Sequence, residues 1–186
     1  AGSEAMRVAS GNVGIGTTSP GAKLDIESTG VASTPTVEIT NTSSSTFNHS
    51  INAFAPNLTA GENNIFIIGR SGSSKNAGYI GYKYSSAGSN ANLLTFGHWA
   101  SDNLMNLTGD GKLGIGTQNP QYTLVVSNGG ASGLEFGPGY SGTANLIQSY
   151  NRSGSAYVHT VYDAAVHRFN ISGNEKFKID STGNVG

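Results

Sequence analysis

The sequence predicts an all-β fold, with short antiparallel strands arranged in two tandem modules. Three observations carry that prediction. Apolar and polar residues alternate in short runs, clusters of Gly, Asn, Ser and Asp separate the runs, and one marker sequence recurs along the chain. No window sustains a 3.6-residue period, and the strong helix formers never gather for long. The alternating runs are Met6/Val8, Leu24/Ile26, Ile65/Ile67, Ile80/Tyr82/Tyr84, Val158/Thr160/Tyr162, Phe169/Ile171 and Phe177/Ile179. A period of two puts the members of each run on one face of a strand.

The marker reads MRVASGNVGIGTTSPGAKLDI over 6–26 and MNLTGDGKLGIGTQNPQYTLVV over 105–126, and its opening returns as FKIDSTGNVG over 177–186. Val13, Leu113 and Val185 align, 100 and then 72 residues apart. The segments between markers match more weakly. Val37-Glu38-Ile39 answers to Leu134-Glu135-Phe136, and Asn64-Ile65-Phe66 to Asn145-Leu146-Ile147. Arg70-Ser71-Gly72-Ser73 answers to Arg152-Ser153-Gly154-Ser155, each before a Tyr-rich run, and Leu94 to Phe96 answers to Val166 to Phe169. The chain therefore divides into a first marker and β module at 1–104, a second marker and shorter module at 105–176, and a truncated third marker at 177–186. The extra length of the first copy falls in polar stretches near 40–63 and 85–92, where loops are expected.

Within the marker, Ala9-Ser10-Gly11-Asn12 is a tight turn, because Gly and Asn tolerate positive φ. Asp110-Gly111 and Gly183-Asn184 serve the same purpose. A strand over 13–17 would put Val13, Ile15 and Thr17 on one face and Gly14 and Gly16 on the other. Glycine weakens a strand unless another backbone must come close. The recurrence of the pair as Gly114 and Gly116 therefore predicts close packing at all four glycines, by the backbone of a neighbouring chain. Ser19-Pro20 and Asn119-Pro120 then turn the chain, and Leu24 or Leu124 begins the next strand.

Composition points the same way. Gly, Ser, Thr and Asn make up 86 of 186 residues, whereas Leu, Ile, Val and Phe supply only 39. So few large apolar side chains predict that the chain buries surface against other chains. The net charge of −1 gives no footprint for nucleic acid and no basic patch for anionic lipid. No apolar run approaches the ~18 residues of a membrane-spanning helix. The absence of Cys removes disulfides, thiolate metal sites and a Cys nucleophile.

At the marker a resemblance becomes specific. The pattern G-N-V-G-I-G-T-x-x-P-x-x-x-L, following an M-R-V or F-K-I-D strand, resembles the repeat modules of tailed-bacteriophage tail fibres and tailspikes. It is similar to the fibre region that often precedes a self-cleaving intramolecular chaperone domain. The resemblance implies an intertwined homotrimeric fibre segment, assembled in the host cytoplasm and carried on the virion, that attaches to a host-surface receptor. The sequence then reads as a piece of a longer fibre. Alternatives are a capsule-degrading tailspike fragment and a bacterial adhesin repeat; an ice-binding repeat would need a short fixed period, which spacings of 100 and 72 lack.

No motif for catalysis, metal or cofactor stands out, and none of the three is expected. Gly11 to Gly16 has the wrong order for a dinucleotide loop, and neither marker ends in Gly-Lys-Ser/Thr. His49, His98, His159 and His167 form no H-x-H pair. A glycan hydrolase needs two carboxylates flanking one bond, and the sequence leaves open whether Glu38, Glu62, Asp102, Glu135 or Asp163 meet. Asp25 and Glu27 read as a solvated strand side. For receptor binding the candidates are His98, Trp99, Tyr79 and Tyr157, because aromatic faces with polar neighbours suit the C–H surface of a sugar. Tyr82 and Tyr84, in line with Ile80, read instead as core.

Overall fold

The computed structural model describes residues 5–28, 35–42, 44, 46–142, 144–162 and 164–185. It is all-β with no helix, and most of its strand pairs are antiparallel. The chain forms two compact units, Ala1–Ala53 and Phe54–Gly186. The repeat boundary at 104/105 falls inside a strand, so sequence repeat and compact unit do not coincide.

The first unit holds a three-stranded sheet of β1 (Met6–Ala9), β2 (Asn12–Ile15) and β3 (Leu24–Ile26). Ala9 pairs with Asn12 across Ser10 and Gly11, both at positive φ (52° and 77°). Two such residues make the type I′ turn whose twist suits a hairpin. Val37-Glu38-Ile39 is exposed and lies in no strand, unlike its counterpart at 134–136, which neighbouring strands hold on both sides.

The second unit is dominated by a nine-stranded sheet in which chain neighbours are also sheet neighbours: β4 (Asn63–Gly69), β5 (Ala77–Lys83), β6 (Leu93–His98), β7 (Ser101–Thr108), β8 (Leu113–Ile115), β9 (Leu124–Asn128), β10 (Ser132–Tyr140), β11 (Ala144–Asn151) and β12 (Ala156–Tyr157). A separate hairpin joins β13 (His167–Ile171) to β14 (Asn174–Ile179). The expected strand through Val158, Thr160 and Tyr162 is corrected: pairing stops one residue past β12, where the Val158 N–H donates to the Ser149 carbonyl (3.1 Å). Val161 and Tyr162 beyond it are exposed.

The register sorts the two faces. Antiparallel partners point the same way, so the pairs can be followed from strand to strand. One row runs Phe66, Ile80, Phe96, Met105, Ile115, Val126, Leu134 across β4–β10. A second runs Tyr82, Leu94, Leu107, Leu113, Leu124, Phe136, Ile147 across β5–β11. None of these fourteen side chains is buried, and nine are exposed. On the opposite face the central row is Gly81, Thr95, Asn106, Gly114, Val125, Glu135, Gln148. There Thr95, Asn106 and Glu135 are at most 1% exposed. Among the described residues the buried hydrophobic set is only Ala77, Tyr79, Leu93 and Val125.

The buried polar groups are paired. The Thr95 hydroxyl donates to Asn106 Oδ1 (2.9 Å), and Asn106 Nδ2 donates to the carbonyls of Asn103 and Thr117 (both 2.9 Å). Arg152 grips the Glu135 carboxylate through Nε (2.7 Å to Oε1) and Nη2, and Gln148 donates to the same group. The guanidinium lies 4.5 Å from the Tyr150 ring centroid and 5.5 Å from that of Tyr122. Burial pushes the Glu135 carboxyl up, but the hydrogen bonds from Arg152 and Gln148 and the guanidinium charge outweigh it and hold the group below its ordinary value.

The third marker forms a turn of the same plan as the second. Asp180 N–H donates to the Asn184 carbonyl as Thr108 N–H does to that of Lys112 (3.1 and 2.9 Å). Asp180 Oδ1 accepts the Thr182 hydroxyl (2.6 Å) and the N–H groups of Thr182 and Asn184 (2.9 and 3.0 Å). These bonds favour the carboxylate and bring its pKa down to about 2.

Two outcomes follow. Arg152→Met strands a buried carboxylate and should cost ~3 kcal/mol by urea unfolding at pH 7, the low end of the usual range because Arg152 is partly exposed. The deficit should shrink as pH falls, because without Arg152 burial raises the Glu135 pKa and the variant's carboxyl takes up a proton before the native one does; a deficit unchanged in acid would show that the charge is irrelevant. The Asp180 turn, with its pKa depressed on folding, is fully supported above the ordinary carboxyl value near 3.8 and loosens as pH falls towards 2. The amide shifts of Thr182 and Asn184 should titrate with a midpoint near 2 rather than near 4.

Candidate functional site

Each of the two full markers builds a parallel strand pair over a short connection. β8 and β9 run side by side, Leu113 to Ile115 against Leu124 to Val126, and only residues 116–123 join them. Parallel neighbours usually need about a dozen residues or more. Two glycines permit the short path. Gly116, at φ +71°, turns the chain off β8 while its N–H donates to the Leu104 carbonyl (2.9 Å). The chain then lies over Gly114, where a Cβ would stand 2.3 Å from the Thr117 carbonyl oxygen. A Cβ on Gly116 would stand 2.0 Å from that of Ser127. Thr117 Oγ1 accepts the Asn119 N–H (3.2 Å) and opens the turn at Pro120.

The first marker repeats this geometry. Gly16 sits at φ +73°, and a Cβ on Gly14 would meet the Thr17 carbonyl at 2.7 Å. One on Gly16 would meet the Glu27 carbonyl at 2.2 Å, and Thr17 Oγ1 accepts the Ser19 N–H (3.3 Å). Close packing at these glycines thus involves the chain's own backbone, in place of the neighbouring chain that the sequence reading put there. The two glycines of a marker do not share a strand face either. β2 and β8 end at Ile15 and Ile115, and positive φ takes the next residue out of the alternation.

The receptor candidates separate into different places. Tyr79 and Trp99 come together in a cavity of about 250 Å³ with Asn63, Ile65, Ala100 and Asp102. Trp99 sits in the β6–β7 turn, its N–H donating to Ala77 and its carbonyl accepting from Lys75 (both 2.9 Å). Ala100 at φ +65° reverses the chain and brings Asp102 back towards β5. Tyr79 is buried, and its hydroxyl donates to Asp102 Oδ1 (2.8 Å). Burial first, and then the carboxylate beside it, raises the Tyr79 pKa above that of an ordinary phenol. Strand alternation places Tyr79, Ile65 and Asn63 on the covered face of the sheet, opposite the apolar rows.

His98 does not line this cavity. It pairs with Gly78 and Ser101, one residue out of phase with the Tyr79–Gly97 pair. Tyr157 lies on β12, six strand positions from β6, and packs edge-on against Tyr150 with centroids 5.2 Å apart. Asn63 escaped the sequence reading: in the β4–β5 register it pairs with Lys83 and not with Tyr79, and only the folded sheet brings both into the lining of one cavity. Asp102 carried a signal, as the carboxylate three residues after the only Trp.

The other acidic candidates have local partners. Asp25 accepts the Gly21 N–H, Glu62 the Thr59 N–H and Glu38 the Thr40 hydroxyl, while Glu135 belongs to Arg152 and Gln148. Asp163 lies outside the described residues. Among the described residues no three His, Asp or Glu side chains are grouped to hold a metal ion, and no helix is long and apolar enough to cross a membrane. No protein-family model, curated protein or solved structure matches the chain.

The glycine geometry is testable by comparison. Gly111 also has positive φ (83°) but open space beside it. Gly111→Ala should therefore cost only the backbone strain, about 1–2 kcal/mol. Gly116→Ala adds a clash with backbone and should cost clearly more in urea unfolding. Equal losses would remove the close approach as the reason for that glycine.

Proposed function

We propose that this chain is a non-catalytic structural and host-attachment segment of a bacteriophage tail fibre, working as a homotrimer. The observation that carries the reading is the open apolar face: two unbroken rows of seven large side chains with no layer over them in the second unit. A sheet is stable when its apolar face packs against another layer, and solitary proteins seldom leave a patch of this extent in water. Fully burying a Leu, Ile or Phe is worth ~1.5–3 kcal/mol. Half of that for each of the nine exposed members comes to about 10 kcal/mol, the scale of a domain's whole net stability. Copies of the same chain are the natural cover, because apolar rows on each protomer are complementary to one another.

The number three and the viral setting come from the likeness of the marker to phage fibre repeats; the face itself asks only for a second layer. In a trimer, weak receptor contacts on each protomer gain strength through effective concentration. Stability then depends on protein concentration, as in other obligate oligomers.

Sedimentation equilibrium should return three times the chain mass of 19.1 kDa. Phe96→Asp or Ile115→Asp, each placing a charge in an apolar row, should dissociate the assembly at micromolar concentration. A well-folded monomer of the native chain, with both rows in water, would end the proposal.

A further inference from the structure

We propose that the cavity between β4, β5 and the β6–β7 turn is a binding site for one neutral hexopyranose unit of a glycan. Its volume, about 250 Å³, lies just below the ~300–1,000 Å³ of pockets for drug-sized ligands, which favours a single ring over a longer ligand. The lining combines three chemistries. Trp99, 38% exposed, offers an indole face to the C–H side of a sugar ring. Asp102 gives one carboxylate oxygen to Tyr79 and keeps Oδ2 as an acceptor for sugar hydroxyls. Asn63 adds a carboxamide at the rim, able both to donate and to accept.

The lining also says what does not fit. It contains one carboxylate and no Lys, Arg or His, so an anionic sugar or a phosphate would meet repulsion without a counter-charge. An ammonium ligand would want several ring faces around it, but Tyr79 is 7% exposed and its hydroxyl is committed to Asp102, leaving Trp99 as the one accessible ring. Position supports the assignment as well. Asn63, Ile65 and Tyr79 point away from the apolar rows, so a layer of further chains over those rows leaves the cavity open to solvent.

This inference deepens the attachment part of the reading above and is independent of its assembly part, because one chain supplies every lining residue. Sedimentation and sugar titration can therefore fail separately. Trp99 is the only tryptophan in the chain, so intrinsic fluorescence reports on this cavity directly. The intact chain is titrated with glucose, galactose, mannose and N-acetylglucosamine, and in parallel with N-acetylneuraminic acid and choline. At least one neutral sugar should give a saturable change in the millimolar range, with little response to the acidic sugar or to choline. Asp102→Asn should weaken binding tenfold or more, and Asn63→Ala, on the exposed edge strand, severalfold. Tyr157→Ala, at the far end of the sheet, should leave it unchanged. No saturable response to any neutral sugar, a response to choline alone, or equal affinity in the Asp102 and Asn63 variants would overturn the assignment.

Discussion

Register is the constraint on which the second unit depends. Seven successive strands keep their pairing in phase, so every large apolar side chain of two rows falls on one side. The other side mixes small residues, a few apolar ones such as Tyr79, Leu93 and Val125, and polar residues with partners. A slip of one residue in any pair would reverse that strand and set Thr95, Asn106 or Glu135 among the apolar rows without partners. The second marker holds the phase at the middle of the sheet. Gly116 and Gly114 let a connection of eight residues carry the chain from β8 to a parallel β9, and the Thr117 carbonyl of that connection accepts from Asn106 below it.

The result inverts the usual arrangement of a soluble domain. The deepest side chains are Thr95, Asn106 and Glu135, while Phe66, Ile80, Phe96 and Leu94 face outward. Hydrogen bonds satisfy the covered side: Asn106 bridges three strand and turn positions, and Arg152 neutralises Glu135 while Gln148 donates to it. What remains without a partner is apolar area, and apolar area is covered by association rather than by local hydrogen bonding. A thin single-chain core and a sheet face suited to a second layer are thus two aspects of one distribution of residues.

In the proposed attachment fibre the two faces would divide the labour. The apolar rows suit contacts among copies. The covered face carries the cavity of Trp99, Tyr79, Asp102 and Asn63, a polar and aromatic concavity on the side away from those contacts. Such a division lets assembly strengthen binding through valency without blocking the site.

All-β character, the strands at Met6, Leu24, Ile65, Ile80, Phe169 and Phe177 and the tight turn at Ser10-Gly11 could be read from the residues alone, because period-two alternation and positive-φ turn residues are local properties. Close approach at Gly14 and Gly114 was legible too, since glycine in a strand has few other uses. The partner in that approach was not: whether Thr17 or another chain covers Gly14 depends on where residues 16–23 travel, which no local preference determines. The strand expected at 158–162 failed for the complementary reason, as alternation alone does not supply a neighbour to pair with. Only tertiary structure put Trp99, Asp102 and Asn63 around Tyr79, and sent His98 and Tyr157 elsewhere. Those placements follow from the register of β4, β5, β6 and β7 and from the turn at Ala100, and register is a relation between strands, absent from any one of them.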